Sequence, residues 1–259
     1  MSLAWRPLGM FALFLCLSNP AGAGVILDAG IKGTMEDNIT GPAVDVDKDG
    51  DFYTTLSVTA GGFRELEEAT RFIIIKGGAE VYSYNTYDEL SAVNGFVSAG
   101  LYRRYNESLS SFITFSGAAR DYEDDDRDSI AAGVTLELKE QITGRFWLKQ
   151  AYEYEVNDAA LDTFSYTAHA VGVWAGITAS PRAFFGLGYS YLDRQYDSPA
   201  DFKSQSHTLS LFAERLLVPT VFLVAGYDRQ WYAIASPDPT LDNQKYDNTI
   251  ATIGVQYSY

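Results

Sequence analysis

Residues 129–140 read SIAAGVTLELKE, and their alternation is strict. Ile130, Ala132, Val134, Leu136 and Leu138 share one parity, while Ser129, Ala131, Gly133, Thr135, Glu137 and Lys139 share the other. Successive side chains of an extended strand point to opposite sides, so one face suits hydrocarbon and the other suits water or a polar lumen. RFWLKQAYEYE (145–155) repeats the pattern, with Phe146, Leu148, Tyr152 and Tyr154 opposite Trp147, Lys149, Glu153 and Glu155. TVFLVAGYDRQWY (220–232) does so again, with Val221, Leu223, Ala225, Tyr227 and Trp231 opposing Phe222, Asp228 and Gln230.

Carried outward in both directions, this rhythm parses the chain into twelve candidate strands. They fall at 24–34, 52–63, 70–84, 91–105, 110–122, 128–140, 145–156, 163–179, 183–194, 203–216, 220–233 and 246–259. The connections alternate in length. Those at 35–51, 85–90, 123–127, 157–162, 195–202 and 234–245 are mostly longer and rich in Asp, Asn and Pro. Those at 64–69, 106–109, 141–144, 180–182 and 217–219 are tight, as in NESL, QITG and SPR. Long loops at one end and short turns at the other are the build of a membrane barrel with outward loops and inward turns. A tilted span needs about 9–11 residues, which most segments reach. No long amphipathic helix is expected, and FRELEEATR (63–71) is read as one helical turn at most. The fold class predicted is all-β: a transmembrane, antiparallel, up-and-down β-barrel of about twelve strands.

The front of the chain agrees with export. In residues 1–23, Arg6 supplies a positive start, Leu8 to Leu17 an apolar core, and Ala21-Gly22-Ala23 a small-residue cleavage site. That core is shorter than the roughly 20 residues a spanning helix needs. A cleaved signal peptide at 1–23 and a barrel at 24–259 are the expected parts. Cys16, the single cysteine, lies in the leader, so the exported part has no disulfide to hold it together. Eighteen Tyr and 15 Phe against 8 Pro is an aromatic-rich, strand-favouring usage. Nineteen basic against 34 acidic residues gives a net charge of −15, which argues against nucleic acid as a partner.

Aromatic residues cluster at strand ends. Phe52, Tyr53, Tyr82, Tyr84, Tyr152, Tyr154, Tyr189, Tyr191, Tyr227 and Trp231 fall near the long loops; Tyr102, Tyr105, Phe146, Tyr257 and Tyr259 fall near the short turns. Two such bands are expected to form girdles at the two membrane–water interfaces.

The last strand, ending TIGVQYSY (252–259), resembles the C-terminal assembly signal of bacterial outer-membrane β-barrels. That pattern holds a polar residue, a glycine two positions later and two aromatics on alternate positions, filled here by Thr252, Gly254, Tyr257 and Tyr259. The resemblance implies that the barrel-assembly machinery and outer-membrane lipid are partners and that the cell outer membrane is the destination. It further implies that the last strand closes against the first, so that no sheet edge is left in hydrocarbon. Within this superfamily the chain is similar to the small porin-like barrels; no subfamily motif selects among them.

The inner parity carries Asp28, Lys32, Lys76, Glu80, Arg104, Arg120, Glu137, Lys139, Lys149, Glu153, Glu155, Arg194, Glu214 and Asp228, seven of each sign. Two readings fit these charges: the lining of a narrow aqueous pore, or a compensated ion-pair network that plugs the lumen. Most of the net charge lies in loops, above all DVDKDGD (45–51) and DYEDDDRD (121–128). Asp45, Asp47, Asp49 and Asp51 have the opening spacing of a calcium loop, but the place for its bidentate acid falls on Leu56 and no helices flank it. A surface Ca2+ site and a solvated acidic loop are both compatible with the run; no other cofactor is implied. An acidic outer mouth favours cations. His169 and His207 fall on different strands, and no nucleophile–base motif accompanies them, so no enzyme activity is expected. The function expected is a narrow porin-like channel for small solutes or cations. The alternative is a non-conducting barrel acting as scaffold, receptor or partner in an envelope complex.

Overall fold

The computed structural model describes residues 23–38, 50–199, 202–236 and 245–259. The expected leader lies outside these residues, apart from Ala23. Twelve strands follow one another: β1 (Ala23–Glu36), β2 (Asp51–Glu67), β3 (Arg71–Tyr84), β4 (Ala92–Arg104), β5 (Leu109–Tyr122), β6 (Ser129–Gln141), β7 (Phe146–Ala159), β8 (Tyr166–Ser180), β9 (Ala183–Tyr196), β10 (Lys203–Val218), β11 (Val221–Ala235) and β12 (Lys245–Ser258). Each pairs antiparallel with its sequence neighbours, and β1 pairs with β12, so the sheet is a closed barrel. Stretch 63–71 holds no helical turn. Residues through Glu67 belong to β2, and a tight turn follows with Ala69 at φ 53°.

Strands of 13 to 17 residues exceed what a tilted span requires, so their ends stand clear of the hydrocarbon. The tight turns lie at 68–70, 105–108, 142–145, 181–182 and 219–220, all at one end. At the other end the described loops carry short 3-10 turns, Asp88–Leu90, Asp125–Arg127 and Asp162–Phe164. No helix among the described residues is long and apolar enough to cross a membrane; crossing falls to the strands.

The alternation sorts the side chains as a lipid-embedded wall requires. Exposed large apolar residues include Ile31, Leu56, Ile75, Val97, Phe115, Leu136, Val173, Leu211 and Ile253, and they point outward all round the cylinder. In a soluble protein such a continuous apolar surface would aggregate; in a bilayer it is the solvated face. Closure is complete at the seam. Leu27 N donates to Tyr259 O at 3.0 Å, and Tyr259 N donates to Leu27 O at 2.9 Å. Thr34 and Thr252 share a hydroxyl–hydroxyl hydrogen bond of 3.1 Å across the same joint. A Cβ on Gly254 would stand 2.6 Å from Cγ of Lys32, so the glycine leaves room for the lysine stem inside the barrel. Tyr257 and Tyr259 face outward.

The girdles differ in part from expectation. Phe52, Tyr105, Phe146, Tyr189, Tyr227 and Trp231 are outward and exposed. Tyr53, Tyr82, Tyr84 and Tyr102 instead have inward parity: Tyr53 stacks on Tyr84 with centroids 4.5 Å apart, and Tyr102 is buried with Phe72. Position along a strand fixes height in the membrane, whereas parity fixes side, and Tyr53 beside Phe52 must take the opposite side.

Candidate functional site: the barrel interior

The inner face divides into two layers. Toward the tight turns it is apolar. Ile26, Phe63, Phe72, Ile74 and Tyr102 form one buried cluster on β1–β4, and Trp147, Ala151, Trp174, Phe184 and Phe212 form a second on β7–β10. Trp147 and Phe184 stack with centroids 5.5 Å apart and an interplanar angle of 7°. Glycine makes the second cluster fit. An ideal Cβ on Gly172 or Gly188 would lie 2.2 Å from the Trp174 ring, so the indole lies flat on bare backbone. An inner face that is polar throughout, as the alternation suggested, is therefore corrected: toward the tight turns two clusters of rings and aliphatic side chains pack it.

Toward the loops the inner face is polar and rich in tyrosine. Arg120 on β5 donates through Nη2 to both Glu155 carboxylate oxygens at 3.2 Å and through Nη1 to Asn157 Oδ1 at 2.8 Å. Tyr166 donates to Glu155 Oε1 at 2.7 Å. The buried guanidinium of Arg194 lies 4.3 Å from the Tyr166 ring centre and donates to Tyr196 Oη at 3.2 Å. Tyr232 and Tyr246 stack at 4.5 Å. On the β1–β12 side, Asn248 Nδ2 donates to Glu36 Oε1 at 2.5 Å, and Tyr232 donates to Gln230 Oε1.

The remaining charges stand among these groups, Lys149 level with Trp174. Lys149 Nζ donates to Glu137 Oε1 at 3.2 Å and sits 4.7 Å from the Trp174 ring centre; Lys139 Nζ lies 5.1 Å from that of Trp147. Ser258 donates to Asp28 Oδ1 at 2.6 Å, and Tyr82 donates to Glu80 Oε2 at 2.6 Å. Lys32, Lys76, Glu153, Glu214 and Asp228 share the inward parity, on β1, β3, β7, β10 and β11. Glu153, Glu214 and Asp228 are half-buried and make no ion-pair contact among the described residues, though Ser210 hydrogen-bonds to Asp228 and Lys32 attracts Glu214.

Of the fourteen sequence-predicted positions, the ion pairs bring together Arg120 with Glu155 and Lys149 with Glu137. Arg104 departs from the set. It is exposed at the rim of the tight-turn end, where Nε and Nη2 donate to Ala69 O at 3.2 and 2.5 Å. Glu36 and Asn248, both buried on the inner face, were missed, and Gln230, expected on that parity, is buried there too. The signal for Glu36 was present: it continues the Asp28, Lys32 parity by four residues beyond Lys32.

The acidic run splits. Asp45, Asp47 and Asp49 lie outside the described residues. Asp51 accepts from the backbone N–H groups of Phe52, Thr86 and Tyr87 at 2.7 to 3.2 Å. Its carboxylate is thus occupied in tying β2 to the 85–91 loop, which corrects its expected place as an outward-reaching cation ligand. His169 and His207 stand on the outer face, sharing hydrogen bonds of 2.9 Å with Tyr152 Oη and 2.6 Å with Tyr189 Oη. Ser206, next to His207, faces inward and is buried.

Comparison with known proteins adds the fold. Neither a family model nor a curated protein matches the chain. Among solved structures, an outer-membrane channel from Pseudomonas putida F1 matches with a TM-score of 0.68 at 12% identity, covering 93% of this chain and 97% of that one. The NanC porin matches with a TM-score of 0.53 at 12% identity, covering 90% and 99%. The KdgM porin, solved in complex with disordered oligogalacturonate, matches with a TM-score of 0.52 at 11% identity, covering 90% and 99%. Closed topology, apolar exterior and these likenesses agree: the chain has the twelve-stranded fold of bacterial outer-membrane porin-like barrels.

Proposed function

We propose that the barrel is a narrow diffusion channel for small solutes and ions, with a preference for cations. One observation carries this reading. Glu153, Glu214 and Asp228 project into the barrel from three strands without an ion pair among the described residues. Their half-buried carboxylates face the barrel interior, where a water-filled lumen would solvate them. Carboxylates lining a low-dielectric tube concentrate cations. The described acidic loop at 123–128 adds negative potential at the entrance.

The test is planar-bilayer recording with purified protein under a salt gradient. Discrete conductance steps and a cation-favouring reversal potential are expected, and Glu153→Gln with Glu214→Gln should move that potential toward anions. A second reading has its own support. The two aromatic clusters narrow the tight-turn half, and if they meet across the axis the barrel is a non-conducting scaffold or receptor. Bilayers that stay silent while the protein retains heat-modifiable mobility would select it.

A further inference from the structure

Glu36 on β1, Gln230 on β11 and Asn248 on β12 meet on the inner face across the seam of the barrel. All three are almost fully buried, at 7%, 3% and 2% exposure. Asn248 Nδ2 donates to Glu36 Oε1 at 2.5 Å and to Gln230 Oε1 at 3.4 Å, and the Tyr232 hydroxyl donates to the same Gln230 oxygen. Acceptors outnumber donors here. Asn248 Oδ1 is buried without a hydrogen-bond partner, and Glu36 is in no ion pair among the described residues. Lys32 lies four residues away on the same face of β1, about 13 Å at roughly 3.3 Å per residue. The Arg194 guanidinium on β9 is engaged with Tyr166 and Tyr196. The other charges nearby are negative. Asp51, directly across the sheet from Glu36, is taken up by backbone N–H groups of Thr86 and Tyr87, and Asp37 by that of Thr249.

We propose that the seam holds an alkali cation such as Na+, with the Glu36 carboxylate and Asn248 Oδ1 as its ligands from the chain. A buried carboxylate needs a positive partner, and a buried amide oxygen needs a donor or a cation. One ion meets both needs. Water would satisfy the amide oxygen but leave the charge of Glu36 uncompensated. A proton would remove that charge but not the second deficit. Turning the Asn248 amide over sets its oxygen against a protonated Glu36, and Nδ2 then becomes the buried group without a partner. The donor set is oxygen alone, with no histidine or cysteine, which suits hard cations and not zinc or copper. A single free carboxylate matches a single positive charge, whereas tight divalent sites gather several. The assignment does not depend on conduction, and its test reads binding alone.

Urea unfolding in phosphatidylcholine vesicles tests this, with NaCl compared against choline chloride at equal ionic strength so that screening is common to both. Choline is too large for a site walled by three buried side chains. The folding equilibrium constant should be about ten-fold larger in NaCl at a concentration about ten times the dissociation constant. In Glu36→Gln and in Asn248→Leu the two salts should differ by less than about two-fold. Sodium NMR relaxation on the folded parent and on Glu36→Gln gives a second reading that needs no unfolding, with faster relaxation expected in the parent alone. Heat-modifiable mobility confirms that each variant is a folded barrel. Equal stability in the two salts, or a sodium effect that survives Glu36→Gln, would overturn the proposal. So would a stability that responds to pH and not to sodium, the signature of a proton on Glu36.

Discussion

Trp174 and the two glycines beneath it make a sharp energetic prediction. The ring is almost fully buried, held against Gly172 of its own strand and Gly188 of β9, with Lys149 Nζ above it. A methyl group placed on Gly172 would begin 2.2 Å from Cη2 of the indole. Ordinary carbon contacts begin near 3.5 Å, so ring or strand must yield by more than about 1 Å. Gly188 closes the other edge, which leaves no easy direction of retreat. Gly172→Ala should therefore cost about 2–3 kcal/mol, the upper part of the range for overpacked sites. Once Trp174 is replaced by Ala, the three nearest atoms to that methyl group are gone. Gly172→Ala should then stabilise by about 0.5–1 kcal/mol, because alanine loses less backbone freedom in a strand than glycine. The coupling between the positions is thus about 3 kcal/mol. Reversible urea unfolding in phospholipid vesicles, followed by tryptophan emission and gel mobility, gives all four corners of the cycle. Additive single effects, with coupling under about 0.5 kcal/mol, would refute the close packing of ring on backbone.

Other consequences are simpler. Asp51→Ala strands the N–H groups of Thr86 and Tyr87 and should cost about 2 kcal/mol, and limited proteolysis should then cut first within 85–91. Glu155→Ala leaves the Arg120 guanidinium with Asn157 and Tyr166 alone and should destabilise by about 2–3 kcal/mol in the same unfolding assay, whereas Arg120→Ala with Glu155→Ala should cost less than the sum of the two. Ala69→Gly should be neutral or stabilising by up to about 1 kcal/mol, since Ala69 holds a left-handed backbone in the β2–β3 turn. Trp174→Ala should enlarge single-channel conductance if ions pass beside the second ring cluster, measured in the bilayers that test conduction.

Strand number, order and facing were legible because lipid makes the rule strict. Each of the twelve expected strands is present, with ends displaced by a few residues, as at Phe63, where β2 continues to Glu67. In hydrocarbon the outward row must be largely apolar and every backbone group paired, so Ile130 to Leu138 could take only one facing. Legibility fell off inside the barrel. Alternation sets Trp147 and Lys149 on the same side but says nothing of which neighbours across the lumen or along the sheet surround them. Rings gathered on β7–β10 because Gly172, Gly176, Gly186 and Gly188 opened space on adjacent strands, a pattern visible only once register is known. Arg104 was misjudged for a related reason. It has inward parity but sits at a strand end, where a long side chain reaches the carbonyl of a turn. Asp51 shares its spacing with Asp45, Asp47 and Asp49, yet spacing within a loop does not disclose that its carboxylate serves the next hairpin.

The joint between β1 and β12 governs how such a chain can come into being. Register there runs from Asp28 opposite Ser258 to Glu36 opposite Ile250, pairing the beginning of the cylinder with its end. Until β12 has been made, β1 has nothing to lean on along that side, and its bare amides make any half-built sheet insoluble in lipid. A mutation that weakens this seam should therefore lower the yield of assembled protein before it alters any property of the finished one.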